Sequence, residues 1–223
     1  MPTLAIVHTS FALVDPLNTL AKEMLPGVDV VNIVDDTLLK YAREFGVDER
    51  LTRRMLYYFV SAVEAGADVI LNACSSVGET VDVARRVVSV PIVRIDEPMA
   101  EEAVTRGHRI AVLATVKSTL DPTCRLLENK AKERRVDIAI TRRLCDGAFD
   151  LLLAGRLEEH DRVVTEAALE AAKNHDLVVF AQASMARLVP TVQKVISVPL
   201  MSSPRLAMSG VEQMLAVRVA GRR

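Results

Sequence analysis

The sequence predicts an α/β protein built from two duplicated lobes, each with a mainly parallel sheet flanked by helices and related by pseudo-twofold symmetry. Three observations lead there. Short β-branched runs alternate with stretches of helical spacing along the whole chain. The runs are apolar rather than alternating, which parallel strands covered on both faces require. Finally, residues of the first half recur in the second at a nearly constant offset.

In chain order, the first series of strands is "LAIVHT" (4–9), "VDVVNIV" (28–34), "DVILNA" (68–73) and "PIVRI" (91–95). The second is "RIAVLAT" (109–115), "VDIAITR" (136–142), "DLVVFAQ" (176–182) and "VPLMS" (198–202). Between them lie helical patterns, notably "DERLTRRMLYYFVSAVEAG" (48–66) and "EEHDRVVTEAALEAAKNH" (158–175). Thr9, Asp15, Pro16 and Leu20 correspond to Thr115, Asp121, Pro122 and Leu126, each 106 positions later. Asp68, Ser76, Ser89, Val90 and Pro91 correspond to Asp176, Ser184, Ser197, Val198 and Pro199, each 108 later, and Pro98 to Pro204 at 106. A common rhythm of strands and helices explains apolar runs but not paired Asp-Pro and Ser-Val-Pro. The expected lobes are residues 1–97 with a C-terminal helix over 203–223, and residues 98–202.

Composition bounds the function. With 223 residues, half of them hydrophobic, the chain can bury a substantial core. A formal charge of −1, with 28 basic and 29 acidic residues intermixed, offers no basic face for nucleic acid. The apolar runs are too short for a membrane span, and the opening "MPTLAIVHTS" enters a strand without a secretory pattern. Three cysteines, at 74, 124 and 145, form no close pair and no metal-ligand spacing, so a reduced cytoplasmic protein without a metal site is expected. The helix "RRMLYYFVSAV" (53–63) is expected to bury one face against a second copy in a homo-oligomer.

Duplication locates the candidate site. In open parallel sheets, ligands gather beyond the carboxyl ends of the strands. Two facing lobes would form an interlobe cleft, with Thr9, Ser10, Asn72, Ala73, Cys74, Ser75 and Ser76 on one wall. The other wall would carry Thr115 to Thr119, including Ser118, and Gln182, Ala183 and Ser184. Hydroxyls and backbone N–H groups at helix starts suit a small carboxylate. No glycine-rich nucleotide loop is present, so no nucleotide cofactor is indicated.

The "NACSS" turn, the "RIAVLAT" strand with Thr115 and Thr119, and the duplicated layout resemble the aspartate/glutamate/hydantoin racemase superfamily, which includes maleate isomerases and arylmalonate decarboxylase. The resemblance covers nearly the whole chain. It implies a cofactor-independent enzyme acting α to the carboxylate of a small acid, with one cysteine on each wall of the cleft. Cys74 matches the first cysteine and is the implied acid/base. The second normally occupies a Gly-Cys-Thr turn, where this chain has Gln182, Ala183 and Ser184, and the repeat independently sets Gln182 against Cys74. An amide cannot carry a proton to carbon near neutral pH. The general resemblance favours an isomerase of the racemase type. The missing thiol favours a lyase in which one cysteine protonates an enediolate after carbon dioxide leaves, although that branch carries its thiol on the second wall. A non-catalytic carboxylate binder is the competing class.

The remaining candidates divide by context. Cys74, at a strand end before a helical pattern, is expected to have its pKa depressed from about 8.5 towards neutrality. Cys124 reads as a buried small hydrophobe, and Cys145 lies nearer a strand end. His8, beside Thr9, is the candidate second acid/base, with an ordinary pKa near 6.5. His108, His160 and His175 show no constellation around them. Ser75 and Ser76 suit a helix cap. Asp15 and Asp121, each before a proline, suit the start of a helix. Met185, Met201 and Met208 read as lining or core.

Overall fold

The computed structural model describes residues 1–220. Residues 221–223, assigned above to the C-terminal helix of the first lobe, lie outside the described residues. The chain divides into two units, Met1–Pro98 with the chain from Pro204 onward, and Met99–Ser203.

In the first unit, β1 (Thr3–His8), α1 (Val14–Met24), β2 (Asp29–Val34), α2 (Thr37–Phe45), α3 (Glu49–Glu64), β3 (Val69–Asn72), α4 (Thr80–Ala84) and β4 (Ile92–Arg94) follow in order. Helix α5 (Glu97–Arg106) leads into the second unit. There β5 (Arg109–Ala114), α6 (Lys117–Arg134), β6 (Ala139–Leu144), α7 (Ala148–Leu153), α8 (Leu157–Ala172), β7 (Leu177–Phe180), α9 (Val189–Val192) and β8 (Leu200–Ser202) run before α10 (Ser203–Ala220). Each unit holds one four-stranded sheet, ordered β2-β1-β3-β4 and β6-β5-β7-β8, and every pairing is parallel. The two orders are the same order, so the repeat in sequence is a repeat in topology.

The central strands β1, β3, β5 and β7 are buried almost throughout, as apolar runs covered on both faces must be. The edge strand β6, "AITRRL", departs from that expectation: most of its residues are exposed, and its arginines keep their charge in water. Helix α3 shows how a lobe closes. The Asp48 carboxylate caps it by accepting from the N–H of Leu51, and Leu51, Met55, Phe59 and Ala62 then return to one face at helical spacing. That face packs on Ala5, Val7 and Ile70 of the sheet. The apolar side of the 53–63 helix thus covers its own sheet, leaving Tyr57 and Val60 exposed on the other side. In the second lobe, Val164, Ala167, Ala168 and Ala171 of α8 pack on Ala111, Leu113, Val178 and Phe180.

The repeated residues Asp68 and Asp176 do the same mechanical work. Each stands immediately before a central strand and holds the start of its neighbour: Asp68 accepts from the Thr3 N–H at 2.9 Å, and Asp176 from the Arg109 N–H at 2.9 Å. Arg85 and Gln193, also 108 apart, brace the edge strands β4 and β8. Arg85 donates to the Ile92 carbonyl, while Gln193 donates to the Val198 carbonyl and accepts from the Leu200 N–H. Much of the internal repeat therefore records strand anchoring. Asp15 stands in the first turn of α1, as expected. Asp121 does not begin a helix, because α6 starts at Lys117 and takes Pro122 into its second turn. Met185, Met201 and Met208 are buried core. Among the described residues, no helix is long and apolar enough to cross a membrane.

Candidate active site

In the first lobe, β1 and β3 end side by side and deliver their following residues to one place. Thr9 leaves β1 and is buried; Asn72 ends β3, and Cys74 stands two residues beyond it, half-buried. The Asn72 amide donates to the Cys74 carbonyl at 3.1 Å and holds the turn, while its Oδ1 is buried without a partner. Cys74 occupies the cap position of a one-turn 3-10 helix, Ser75–Val77, with extended backbone angles, and Ser75 and Ser76 lie buried inside that turn. The cap belongs to Cys74, not to the serines.

The expected depression of the Cys74 pKa is overturned. Burial pushes the thiol above its ordinary value, outweighing the Thr9 hydroxyl, the N–H groups of Ser76 and Val77 and the Ser76 hydroxyl, all of which favour the thiolate. The physical reason is the length of the helix: a single turn aligns too few peptide dipoles to offset the desolvation of sulfur. Cys74 therefore rests as a neutral thiol near pH 7, a proton donor first.

The corresponding place in the second lobe is built alike and filled differently. Gln182 follows β7, caps the 3-10 turn Ala183–Leu188 and is buried. Its Oε1 accepts from the Thr115 N–H at 2.5 Å, and its amide group donates to the Thr115 hydroxyl at 2.9 Å. Thr9 and Thr115 are thus equivalent partners, one acting on a thiol and the other tied to an amide. The Gln182 amide nitrogen carries two hydrogens, of which Thr115 takes one. Ala183 and Ser184 sit half-buried in that turn. Thr119 is buried and Ser118 half-buried in the first turn of α6, whose cap residue, Val116, has no polar side chain to offer. Ser10, the other predicted hydroxyl, accepts from the Ala12 N–H and caps the short turn Phe11–Leu13.

His8 is buried in the sheet, with Nε2 at 2.8 Å from Asn32 Oδ1 and Nδ1 without a partner. Desolvation lowers its pKa against the pull of Asn32, so the ring is neutral near pH 7. Cys124 is buried within α6, as expected. Cys145 follows β6 but is buried too, and its thiol is pushed up to about 11 by desolvation. His160 does have a constellation, contrary to expectation: Nδ1 lies 2.8 Å from Asp161, and Arg187 of the turn after Gln182 bonds to Asp161 and approaches the ring. Asp161 is the next residue, but Arg187 comes from a distant segment, which helical spacing could not reveal.

Sequence reasoning missed a buried ion pair beside the Cys74 turn. Arg94 and Asp96 make a two-pronged contact at 3.2 and 3.1 Å, and both side chains are almost wholly buried. The available signal was a charge inside the apolar run "PIVRI" followed by an acid two residues later. Among the described residues, no group of three or more potential metal ligands comes together.

A thiol and an amide thus stand at matched strand ends, each beside a threonine from the neighbouring strand, where the sequence resemblance implied two thiols. The Asp/Glu/hydantoin racemase family profile matches residues 5–210. The chain belongs to the Asp/Glu/hydantoin racemase family. Solved structures share its fold. A glutamate racemase from Bacillus anthracis aligns at a TM-score of 0.78 and 13% identity, over 97% of this chain and 82% of that one. An allantoin racemase from Klebsiella pneumoniae aligns at 0.73 and 18%, over 97% and 89%. A mutant of arylmalonate decarboxylase aligns at 0.66 and 14%, over 96% and 94%. A comparison with curated protein sequences returns no match. The membership makes this a racemase-like enzyme fold whose second lobe carries Gln182 opposite Cys74 in the repeat.

Proposed function

We propose that this member of the racemase family is a cofactor-independent enzyme that moves a proton at the carbon α to the carboxylate of a small organic or amino acid, with Cys74 as the acid/base. The observation that carries the reading is the half-buried neutral thiol at the end of β3, set beside Thr9 and held by Asn72. Thr9, Ser10, Ser75, Ser76, Thr115, Ser118 and Thr119 supply hydroxyls for carboxylate oxygens. Gln182 offers its remaining N–H to a polar substituent or to an enediolate oxygen, a role that needs no titration.

In the protonation step, the enediolate electron pair at the α-carbon takes the Sγ proton. The carboxylate re-forms, and sulfur is left as a thiolate favoured by Thr9 and the Ser76 and Val77 N–H groups. Operating as a base, the thiol first surrenders its proton, a step that its raised pKa makes harder. His8, neutral and bonded to Asn32, receives no proton-transfer role in this reading.

A second reading, a decarboxylase of a malonate-like acid, is favoured by the same raised thiol together with the non-titrating amide at 182. Loss of carbon dioxide would leave the enediolate directly, and Cys74 need only donate. The test is proton-exchange NMR in deuterated water over small mono- and dicarboxylic acids, with bicarbonate release followed in parallel. Deuterium entering one face of the α-carbon, without bicarbonate, identifies the racemase-type proton transfer; bicarbonate release identifies the lyase. Cys74→Ser, nearly isosteric, should lower either rate by ~10²–10⁴-fold with the fold intact. Undiminished turnover in that variant would remove Cys74 from the chemistry, and binding without turnover in the wild type would make the chain a carboxylate binder.

A further inference from the structure

The turn that presents Cys74 ends at Gly78, whose backbone angles, φ −58° and ψ −36°, suit any residue. Its glycine is required by proximity instead. A Cβ there would stand 2.6 Å from Arg94 Nη2 and 2.9 Å from both Cζ and Nε. The guanidinium cannot swing aside freely, because Asp96 holds it on two prongs within the lobe interior. The exposed Asp82 stands 3.9 Å from Nη1. The rest of the turn is pinned around the same point. The Gly78 N–H donates to the Ser75 carbonyl at 3.1 Å, the Thr80 hydroxyl to the Val77 carbonyl at 2.7 Å, and Asn72 to the Cys74 carbonyl.

The duplication supplies an independent control. The residues 108 positions after Gly78 and Arg94 are Ala186 and Ser202. Ser202 ends β8 as Arg94 ends β4, and Ala186 lies in the turn after Gln182 as Gly78 closes the turn after Cys74. Where the lobe carries an amide, a Cβ is present and the long cation is absent. Where it carries the thiol, the cation is present and the Cβ is gone. The two positions differ together, and in the direction that contact between them demands.

We propose that Arg94 is a positioning residue for Cys74: its guanidinium, fixed by Asp96, packs against Gly78 and sets the turn that holds the thiol half-buried beside Thr9. The proposal deepens the reading of Cys74 as the proton donor and rests on it for its catalytic consequence, but its first test does not require turnover.

The test is the pH profile of iodoacetamide alkylation at Cys74, read by peptide mass, with Cys124 and Cys145 as internal reporters of unfolding. In Gly78→Ala the turn is displaced and sulfur is released to water. The Cys74 midpoint should fall towards the ordinary thiol value of about 8.5, speeding alkylation below that pH by about tenfold, while Cys124 and Cys145 stay protected. In the Arg94→Ser/Asp96→Asn background, which removes the guanidinium and its counter-charge together, adding Gly78→Ala should change the profile no further, the non-additivity expected of touching residues. A wild-type profile in Gly78→Ala would overturn the proposal, as would an equal effect of Gly78→Ala in both backgrounds. Once the exchange assay identifies a substrate, Gly78→Ala should lower kcat with KM little changed. If Cys74→Ser proves fully active, the catalytic reading falls, yet the alkylation cycle still decides whether Arg94 places the thiol.

Discussion

The two lobes share their anchoring residues and part company at the strand ends. Asp68 and Asp176 hold strand starts, Arg85 and Gln193 brace edge strands, and Thr9 and Thr115 each act on the residue that follows the neighbouring strand. Beyond that support, position after position differs: Asn72 against Phe180, Cys74 against Gln182, Gly78 against Ala186 and Arg94 against Ser202. The thiol lobe spends buried polar groups, Asn72, Arg94 and Asp96, around its turn. The amide lobe puts Phe180 into its core at the place of Asn72. A proton donor needs a turn held to a fraction of an ångström, because small misplacements of a reacting group are costly in rate. An amide anchored to Thr115 asks less of its surroundings.

The strongest way to break this contrast is Gln182→Cys. If the amide is what makes the chemistry one-sided, a thiol at that place should raise exchange on the second face of the α-carbon by ~10²–10⁴-fold, the usual worth of a general acid or base. Chiral analysis of product in deuterated water measures it. A wild type that already exchanges both faces equally would show that Gln182 is not the decisive difference.

Next in size are the cores. Phe59→Ala in α3 and Phe180→Ala in β7 each remove a fully buried aromatic from its own lobe, and each should cost ~3–5 kcal/mol in urea unfolding. A much smaller loss at Phe180 would mean that the second lobe is less dependent on its aromatic than the comparison implies.

A smaller effect concerns Cys145. Its folded-state thiol, raised to about 11, holds its proton more tightly than the unfolded chain does. Stability from that burial is complete below the ordinary thiol range and is lost as pH rises towards 11, by up to roughly 3 kcal/mol. Cys145→Ala should flatten this alkaline decline in thermal melts between pH 8 and 11; an unchanged decline would assign it to other groups. The smallest expected contrast is in labelling. Both Cys74 and Cys124 have raised pKa values, but Cys74 is only partly buried whereas Cys124 is fully buried, so Cys74 should alkylate faster near pH 8. Equal rates would show that access, not only thiolate fraction, had been misread.

The lobes, the strand sequence and the pairing of Cys74 with Gln182 were all legible beforehand, because each rests on short-range pattern or on repetition along the chain. Apolar runs bounded by turns specify parallel strands, and a repeat carries positional equivalence without any coordinates. What could not be read were quantities set by contact across the sequence. The Cys74 pKa was expected to fall because a helix start was visible; that the helix is one turn long and that sulfur is desolvated emerge only when the chain is folded. Asp68 and Asp176 stood out in the sequence only as matched positions of the repeat, and the fold made each a strand anchor. His160 looked solitary until α8 met Arg187. Sequence alone thus determined the family, the duplicated α/β design and the place of the thiol, since these follow from local periodicity and matched residues. Only tertiary structure decided the thiol's protonation state and the Arg94–Gly78 contact, because desolvation and close packing depend on which distant atoms arrive at the same point.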